Sequence, residues 1–261
     1  MTSRVQELDQ LFILKELPEN KIYANQTALA EIDRLVQVSK NNNPTKWECT
    51  KNDNFTTRIS FLNSRSIKNK FENIRCDRSL LMSDILILTE TWLEEDADIA
   101  NYSLKSYTTN LNSRGRGKGI ASYHKENFKH IISINCEGFS ISKLESEKLD
   151  VIGIYRSQGE NEKNLIDKLT GIIDKEKTTI IGGDMNVCAR AQPDNYVTKS
   201  LRELGFQQIV TDSTHIDGGV IDHIYLLRKG NIVSEWIVDY FPKYYSDHDA
   251  VGLILIEDMG E

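Results

Sequence analysis

Seven polar residues able to take part in phosphate or metal chemistry stand beside apolar runs. Asn63 closes "RISFLN", Glu90 follows "DILILT", and Asp184 and Asn186 follow "TTIIGG". Asp222 lies within "VIDHIYLL", and Asp247 with His248 precedes the last apolar run, "AVGLILIE". Carboxylate and carboxamide oxygens with no cysteine among them suit a hard cation, Mg²⁺ first and Mn²⁺ second. One histidine with an aspartate partner suits an imidazole held in a single tautomer. Taken singly, Asp, Asn and Glu at strand ends are also ordinary turn formers. Chemistry at these positions therefore depends on whether the strand ends meet.

The elements that would bring them together are legible as a pattern. From Thr57 onward short β-branched runs alternate with helical stretches. Strands are expected over 58–63, 84–90, 119–124, 130–134, 139–145, 149–155, 178–184, 220–227, 232–240 and 250–257, and helices over 68–82, 160–175 and 197–204. The final run is apolar at both alternations, as for a strand buried on both faces. About ten strands with few helices predict an α+β protein, two mixed sheets packed face to face with helices outside. Such packing gathers one set of strand ends at one edge. His223 follows Asp222 in a strand and is expected to face away from it; His215 lies a little upstream. The first fifty residues differ: "QTALAEIDRLVQVSK" (26–40) has mostly helical spacing, and "NNNPTKWE" breaks it.

A chain of 261 residues with 39% hydrophobic and 27% charged residues suits one large globular domain, or a domain with an appendage. The net charge of −7 argues against a purely electrostatic nucleic-acid binder. It leaves room for a nuclease, whose cation site needs carboxylates. "SRGRGKG" (113–119) reads either as a strip that holds phosphates or as a solvated loop. No apolar run is long enough to span a bilayer, so no membrane partner is expected, and "MTSRVQELDQ" is too polar for a signal peptide. Cys49, Cys76, Cys136 and Cys188 lack metal spacing and read as reduced thiols of an intracellular protein. On that reading the glycosylation-type triplets at Asn25, Asn54 and Asn101 are chance composition.

Asn63, "TETWL", Tyr155 at a strand end, "GDMN", "IDHIYL" and "SDH" follow one another in an order that resembles the endonuclease/exonuclease/phosphatase family, over about residues 57–257. The resemblance implies a four-layered, DNase I-like α/β sandwich. It implies Asn63, Glu90 and Asp247 around a metal ion, and Tyr155 hydrogen-bonded to phosphate. It also implies Asp184 and Asn186 acting on the attacking water and the pentavalent centre, and Asp222 buttressing a phosphate-binding His248. Arg65, Arg114, Arg116, Lys118 and Arg156 would meet the nucleic-acid backbone. The function implied is Mg²⁺-dependent phosphodiester hydrolysis, with nicking of DNA by a mobile-element type of endonuclease as the leading form and a nuclear, intracellular location. Two alternatives stay open: a phosphatase or deadenylase acting on inositol phosphates or RNA, and a degenerate domain that binds nucleic acid without catalysis. Tyr155-Arg156-Ser157-Gln158 departs from the family's Tyr-x-Pro-Asn, and "NVCARAQPD" lacks the further Asn of abasic-site endonucleases. Residues 1–50 resemble the end of Helitron-type superfamily-1 helicases, with Ser3 and Arg4 on the last helicase motif. That would imply a helicase or transposase module in the parent polypeptide, although no "GxxxxGK[ST]" is present to make an ATPase.

Overall fold

The computed structural model describes residues 47, 56–113, 115–159, 162–230 and 232–257. All of these fall in the second of two units into which the chain divides, Lys46–Glu261. The helix expected at 26–40, the helicase-like stretch apart from Trp47, Cys49 and Arg114 lie outside the described residues.

Two six-stranded sheets form the body. The first contains β1 (Thr56–Asn63), β2 (Ile85–Thr89), β3 (Thr108–Asn112), β4 (Ile120–His124), β11 (Val233–Phe241) and β12 (Ala250–Glu257), in the order β11-β12-β1-β2-β4-β3. The second contains β5 (Lys129–Cys136), β6 (Phe139–Glu145), β7 (Leu149–Arg156), β8 (Thr178–Asp184), β9 (Gln207–Gln208) and β10 (Asp222–Leu227), in the order β5-β6-β7-β8-β10-β9. Each sheet has one parallel pair near its centre, β1 with β2 and β7 with β8. Parallel neighbours finish at the same edge, so Asn63 lies level with Thr89, and Tyr155 with Asp184. Antiparallel β10 begins at that edge, with Asp222 opposite Asp184.

The ten expected strands are present, with ends shifted by two residues at most. β3 and β9 were not expected. "TTNLN" lies at a sheet edge and carries one large apolar side chain, and β9 has only two residues, so neither shows a readable alternation. The helix expected at 68–82 is two short ones, α1 (Phe71–Arg75) and α2 (Arg78–Leu81). Asp77 separates them: its backbone is extended, and its carboxylate accepts Leu80 N–H at 3.3 Å as the cap of a new helix.

Ile59, Phe61, Ile87, Val151, Ile180, Ile224 and Leu253 fill the space between the sheets. Burying each such side chain contributes roughly 1.5–3 kcal/mol. On the outer face of the first sheet, α1 and α2 insert Phe71, Ile74 and Leu80 against Leu62, Leu86 and Tyr123. Trp47 joins this outer layer ahead of the expected boundary at 57, donating Nε1–H to Ser79 O at 3.1 Å and meeting Phe241 edge-on. On the second sheet, α3 (Glu162–Ile172) and α4 (Tyr196–Glu203) bury Leu165, Leu169, Val197 and Leu201 against Ile152 and Ile181. The result is four layers, helix–sheet–sheet–helix.

The two glycines of "TTIIGGD" serve different contacts. A Cβ on Gly182 would lie 2.5 Å from Phe61 Cζ of the facing sheet. Gly183, at φ +131°, has a conformation that side chains rarely adopt, and a Cβ there would lie 2.0 Å from Ile154 O. Together they allow close sheet packing and a bent backbone immediately before Asp184. No described helix is long and apolar enough to cross a membrane. Cys76 and Cys188 carry free thiols.

Candidate active site

The edge where β1, β2, β7 and β8 finish and β10 begins opens into a groove of about 600 Å³, lined by Arg65, Glu90, Tyr155, Asn186, His215 and His248 among others. Asn63 joins the two sheets at its floor. One carboxamide nitrogen donates to Glu90 Oε1 at 3.0 Å and to Asp184 Oδ2 at 2.8 Å, while Oδ1 accepts Arg65 N–H at 3.0 Å. Glu90 Oε2 accepts the Trp92 indole N–H at 3.1 Å. Asn186 bends back on Asp184, its backbone N–H reaching Oδ1 at 2.8 Å and its amide reaching Oδ2 at 3.1 Å. Burial, reinforced by the charge of Asp222 on the neighbouring strand, raises the Asp184 carboxyl; His248 and the N–H donors oppose that rise. Burial, with the charge of Glu90 beside it, raises the Tyr155 phenol.

Asp222 and His248 form the second half. Asp222 Oδ2 lies 2.8 Å from His248 Nδ1, and both side chains are buried. Burial alone would lower the imidazole, but Asp222, Asp184 and Asp247 outweigh it and raise it to about 9. His223 turns to the other face of β10, as its place in the strand predicts, and its ring nitrogens contact Tyr225 Oη and the carbonyls of Val187 and Val220. Ser246 Oγ donates to Asn63 O at 2.7 Å and accepts His248 N–H at 3.2 Å, tying the last segment to β1. Burial would raise the Asp247 carboxyl, but His248 and Arg65 lower it on balance.

All eight expected site residues thus gather at this one edge, and Gln158 also lines the groove. The expected nucleic-acid cations divide. Arg65 pairs with Asp247. Arg156 is buried: its guanidinium donates to Met185 O at 2.7 Å and Asn186 O at 3.4 Å, and lies 3.5 Å from Glu162. That places it under the Asp184–Asn186 turn, where it holds the backbone. Arg116 stacks on Trp92 at 5.5 Å, and the loop around it is pinned by Gly115 N–H to Leu93 O at 2.8 Å and Trp92 N–H to Lys118 O at 3.0 Å. Residues 115–119 are therefore held against Trp92, whose indole meets Glu90.

Six non-glycine residues among those described have positive φ, and five of them, Arg65, Ser66, Glu90, Trp92 and Asn186, flank this groove. Strained backbone of this kind costs of order 1–3 kcal/mol per residue and gathers at functional sites. Trp92 and Ser246 are participants that reading the sequence passed over, although both sit inside quoted motifs, "TETWL" and "SDH". Lys70 is a third, its ammonium donating to Ser64 O and Arg65 O at 3.1 and 2.9 Å.

The donor set fits a divalent cation. Asp247 Oδ1 is buried with no hydrogen-bond partner, an arrangement that costs about 1–3 kcal/mol unless something else meets it. Glu90 accepts Asn63 on Oε1 and Trp92 on Oε2, and a carboxylate offers about four lone-pair sites in all. Oxygen ligands of this kind select a hard ion.

No family model matches the chain, and no curated protein sequence matches it. Solved structures do resemble it. An AP endonuclease from Archaeoglobus fulgidus is 20% identical, with a TM-score of 0.59 over 78% of this chain and 100% of its own. The endonuclease domain of TRAS1, a telomere-specific non-LTR retrotransposon, is 12% identical, with a TM-score of 0.56 over 77% and 99%. The 3′ phosphatase NExo from Neisseria, bound to a product DNA hairpin, is 15% identical, with a TM-score of 0.55 over 77% and 99%. At these identities the shared property is the fold: the chain has the DNase I-like α/β sandwich. The helicase resemblance of residues 1–50 receives no support from these matches.

Proposed function

We propose that the protein is a Mg²⁺-dependent phosphodiesterase that nicks DNA, an endonuclease of the mobile-element type working in the nucleus. One observation supports the reading: the Asn63 amide donates at once to Glu90 and Asp184, so a cation-type carboxylate and a base-type carboxylate from different sheets meet at one strand edge. Glu90 and Asp247, with Asn63 Oδ1, would hold the ion. Bound there, it would supply Lewis-acid stabilisation of charge on the phosphate and the leaving oxygen.

The chain's own groups supply the rest. Asp184 accepts the proton of the attacking water, and its raised carboxyl suits that task because a base works best near the operating pH. Asn186 fixes the Asp184 rotamer from both sides. His248, protonated and braced by Asp222, faces the negative oxygens of the phosphate, where preorganised charge contributes most. Tyr155 adds a neutral O–H donor, since its raised phenol stays protonated. Arg116 and Lys118 would meet the polynucleotide backbone along the lip beside Glu90.

A phosphatase or deadenylase built on the same groups is the second reading, favoured by the fold shared with a 3′ phosphatase. Purified protein incubated with supercoiled plasmid, abasic duplex, oligo(A) and inositol polyphosphate, with Mg²⁺ or EDTA, separates the two. Relaxation of plasmid in Mg²⁺ alone is the expected result. Phosphate release from inositol polyphosphate with plasmid left intact would replace the first reading by the second.

A further inference from the structure

His215 is absorbed by none of the roles above, although it lines the groove. It arrives there through backbone pairing. His215 and His248 form an isolated antiparallel bridge, Ile216 N–H donates to Asp247 O at 2.9 Å, and Asp249 N–H donates to Thr214 O at 2.8 Å. The segment before β10 is thus stitched along the segment before β12. The pairing sets the His215 ring edge-on to His248, with centroids 4.8 Å apart, and brings its Nε2 within 3.5 Å of Asp247 Oδ2.

The tautomer follows from the other ring nitrogen. Asp217 donates its backbone N–H to His215 Nδ1 at 3.2 Å. A backbone N–H can only donate, and it lies closer to Nδ1 than the exposed Asp217 carboxylate does, at 3.2 against 3.5 Å, which assigns the ring proton to Nε2. That N–H faces Asp247 Oδ2, the oxygen that Arg65 also engages. Arg65 donates to Oδ2 and His215 Nε2 approaches the same oxygen to 3.5 Å, whereas the other, Oδ1, is buried without a partner.

We infer that His215 is a positioning residue: its Nε2–H holds Asp247 by Oδ2 so that Oδ1 is presented to the cation. The inference rests on reading Asp247 as a cation ligand. It differs from a site in which His215, Asp247 and His248 jointly bind a metal, although their ligand atoms lie within 4.8 Å of one another. A metal needs a bare ring nitrogen, and the Asp217 contact keeps the proton on the nitrogen that faces Asp247.

Calorimetric titration of Mn²⁺ into the full chain tests this without measuring activity. His215→Phe keeps a ring against His248 but removes the N–H, and His215→Gln returns an amide N–H near the same place. Losing an outer partner of a metal ligand typically weakens metal binding by about 10–100-fold. The Phe variant is expected to show that loss at an unchanged melting temperature, and the Gln variant to bind within about threefold of the parent, since it retains the donor. Mn²⁺ binding by the Phe variant equal to the parent's would overturn the inference. Equal weakening in Phe and Gln variants would also overturn it, by assigning the effect to the ring and not to its N–H. If Phe fails to fold, parent-like binding by Gln supports the donor role and a loss there refutes it. A parent protein that binds no Mn²⁺ removes the cation reading of Asp247 itself, a failure distinguishable from the others.

Discussion

Asp222→Asn isolates the electrostatic support of His248, because the exchange keeps size and removes one charge 2.8 Å from Nδ1. In the parent, Asp222 leads the carboxylates that overcome burial and raise the imidazole to about 9. Without it the ring falls toward its ordinary value of about 6.5, a change worth roughly 3 kcal/mol. The sign is fixed by charge. An imidazole that must be protonated to face phosphate is active below its pKa and lost above it, so the variant loses its active form at lower pH. At pH 8 the protonated fraction falls from about nine-tenths to about three-hundredths, roughly a 30-fold loss of rate on protonation alone. At about pH 6 both proteins are mostly protonated, and only the loss of ring orientation remains. Single-turnover nicking of supercoiled plasmid at saturating Mg²⁺, followed across this range, measures both components. A deficit of the same size at every pH would refute the assignment of Asp222 as the charge that sustains the imidazolium.

Four further outcomes follow from the geometry. Glu90→Gln should nick poorly at low Mg²⁺ and recover in part at high Mg²⁺ or in Mn²⁺, by mass action on a weakened site; His248→Ala should not recover, and equal rescue would move His248 into the metal site. Gly182→Ala should destabilise by about 1–3 kcal/mol through contact with Phe61. Phe61→Leu in the same chain should recover part of that loss in denaturant unfolding, whereas strictly additive costs would contradict the contact. Arg116→Ala and Lys118→Ala should each reduce the salt dependence of DNA binding by about one in log–log slope, uniformly across sequences; an unchanged slope would remove them from the interface. A chain beginning at Asn52 lacks Trp47 and should be less stable by about 3–5 kcal/mol than one beginning at Lys46; equal urea midpoints would show that Trp47 contributes nothing.

Local chemistry made much of this protein legible in advance. The run "AVGLILIE" is apolar on both alternations, as for a strand covered on both faces, and about ten short runs with few helices predicted two packed sheets. The polar residues ending those runs, from Asn63 to His248, were visible because their side-chain type interrupts an apolar run, although Asn63, Asp184, Asp222 and His248 are themselves buried. Tertiary structure alone decided how these ends met. Asn63 and Asp184 are separated by 121 positions, and their hydrogen bond exists because parallel pairs in both sheets finish at one edge. Strand pairing of this kind is carried by backbone groups that every residue possesses, so no local signature announces it. The same reason accounts for Arg156, whose charge suggested a phosphate and whose burial under Met185 and Asn186 makes it a brace. It accounts equally for His215, legible only as a histidine upstream of Asp222 until antiparallel pairing set it against His248 and Asp247. Side-chain type is written position by position, but which side chains become neighbours is fixed by long-range backbone pairing.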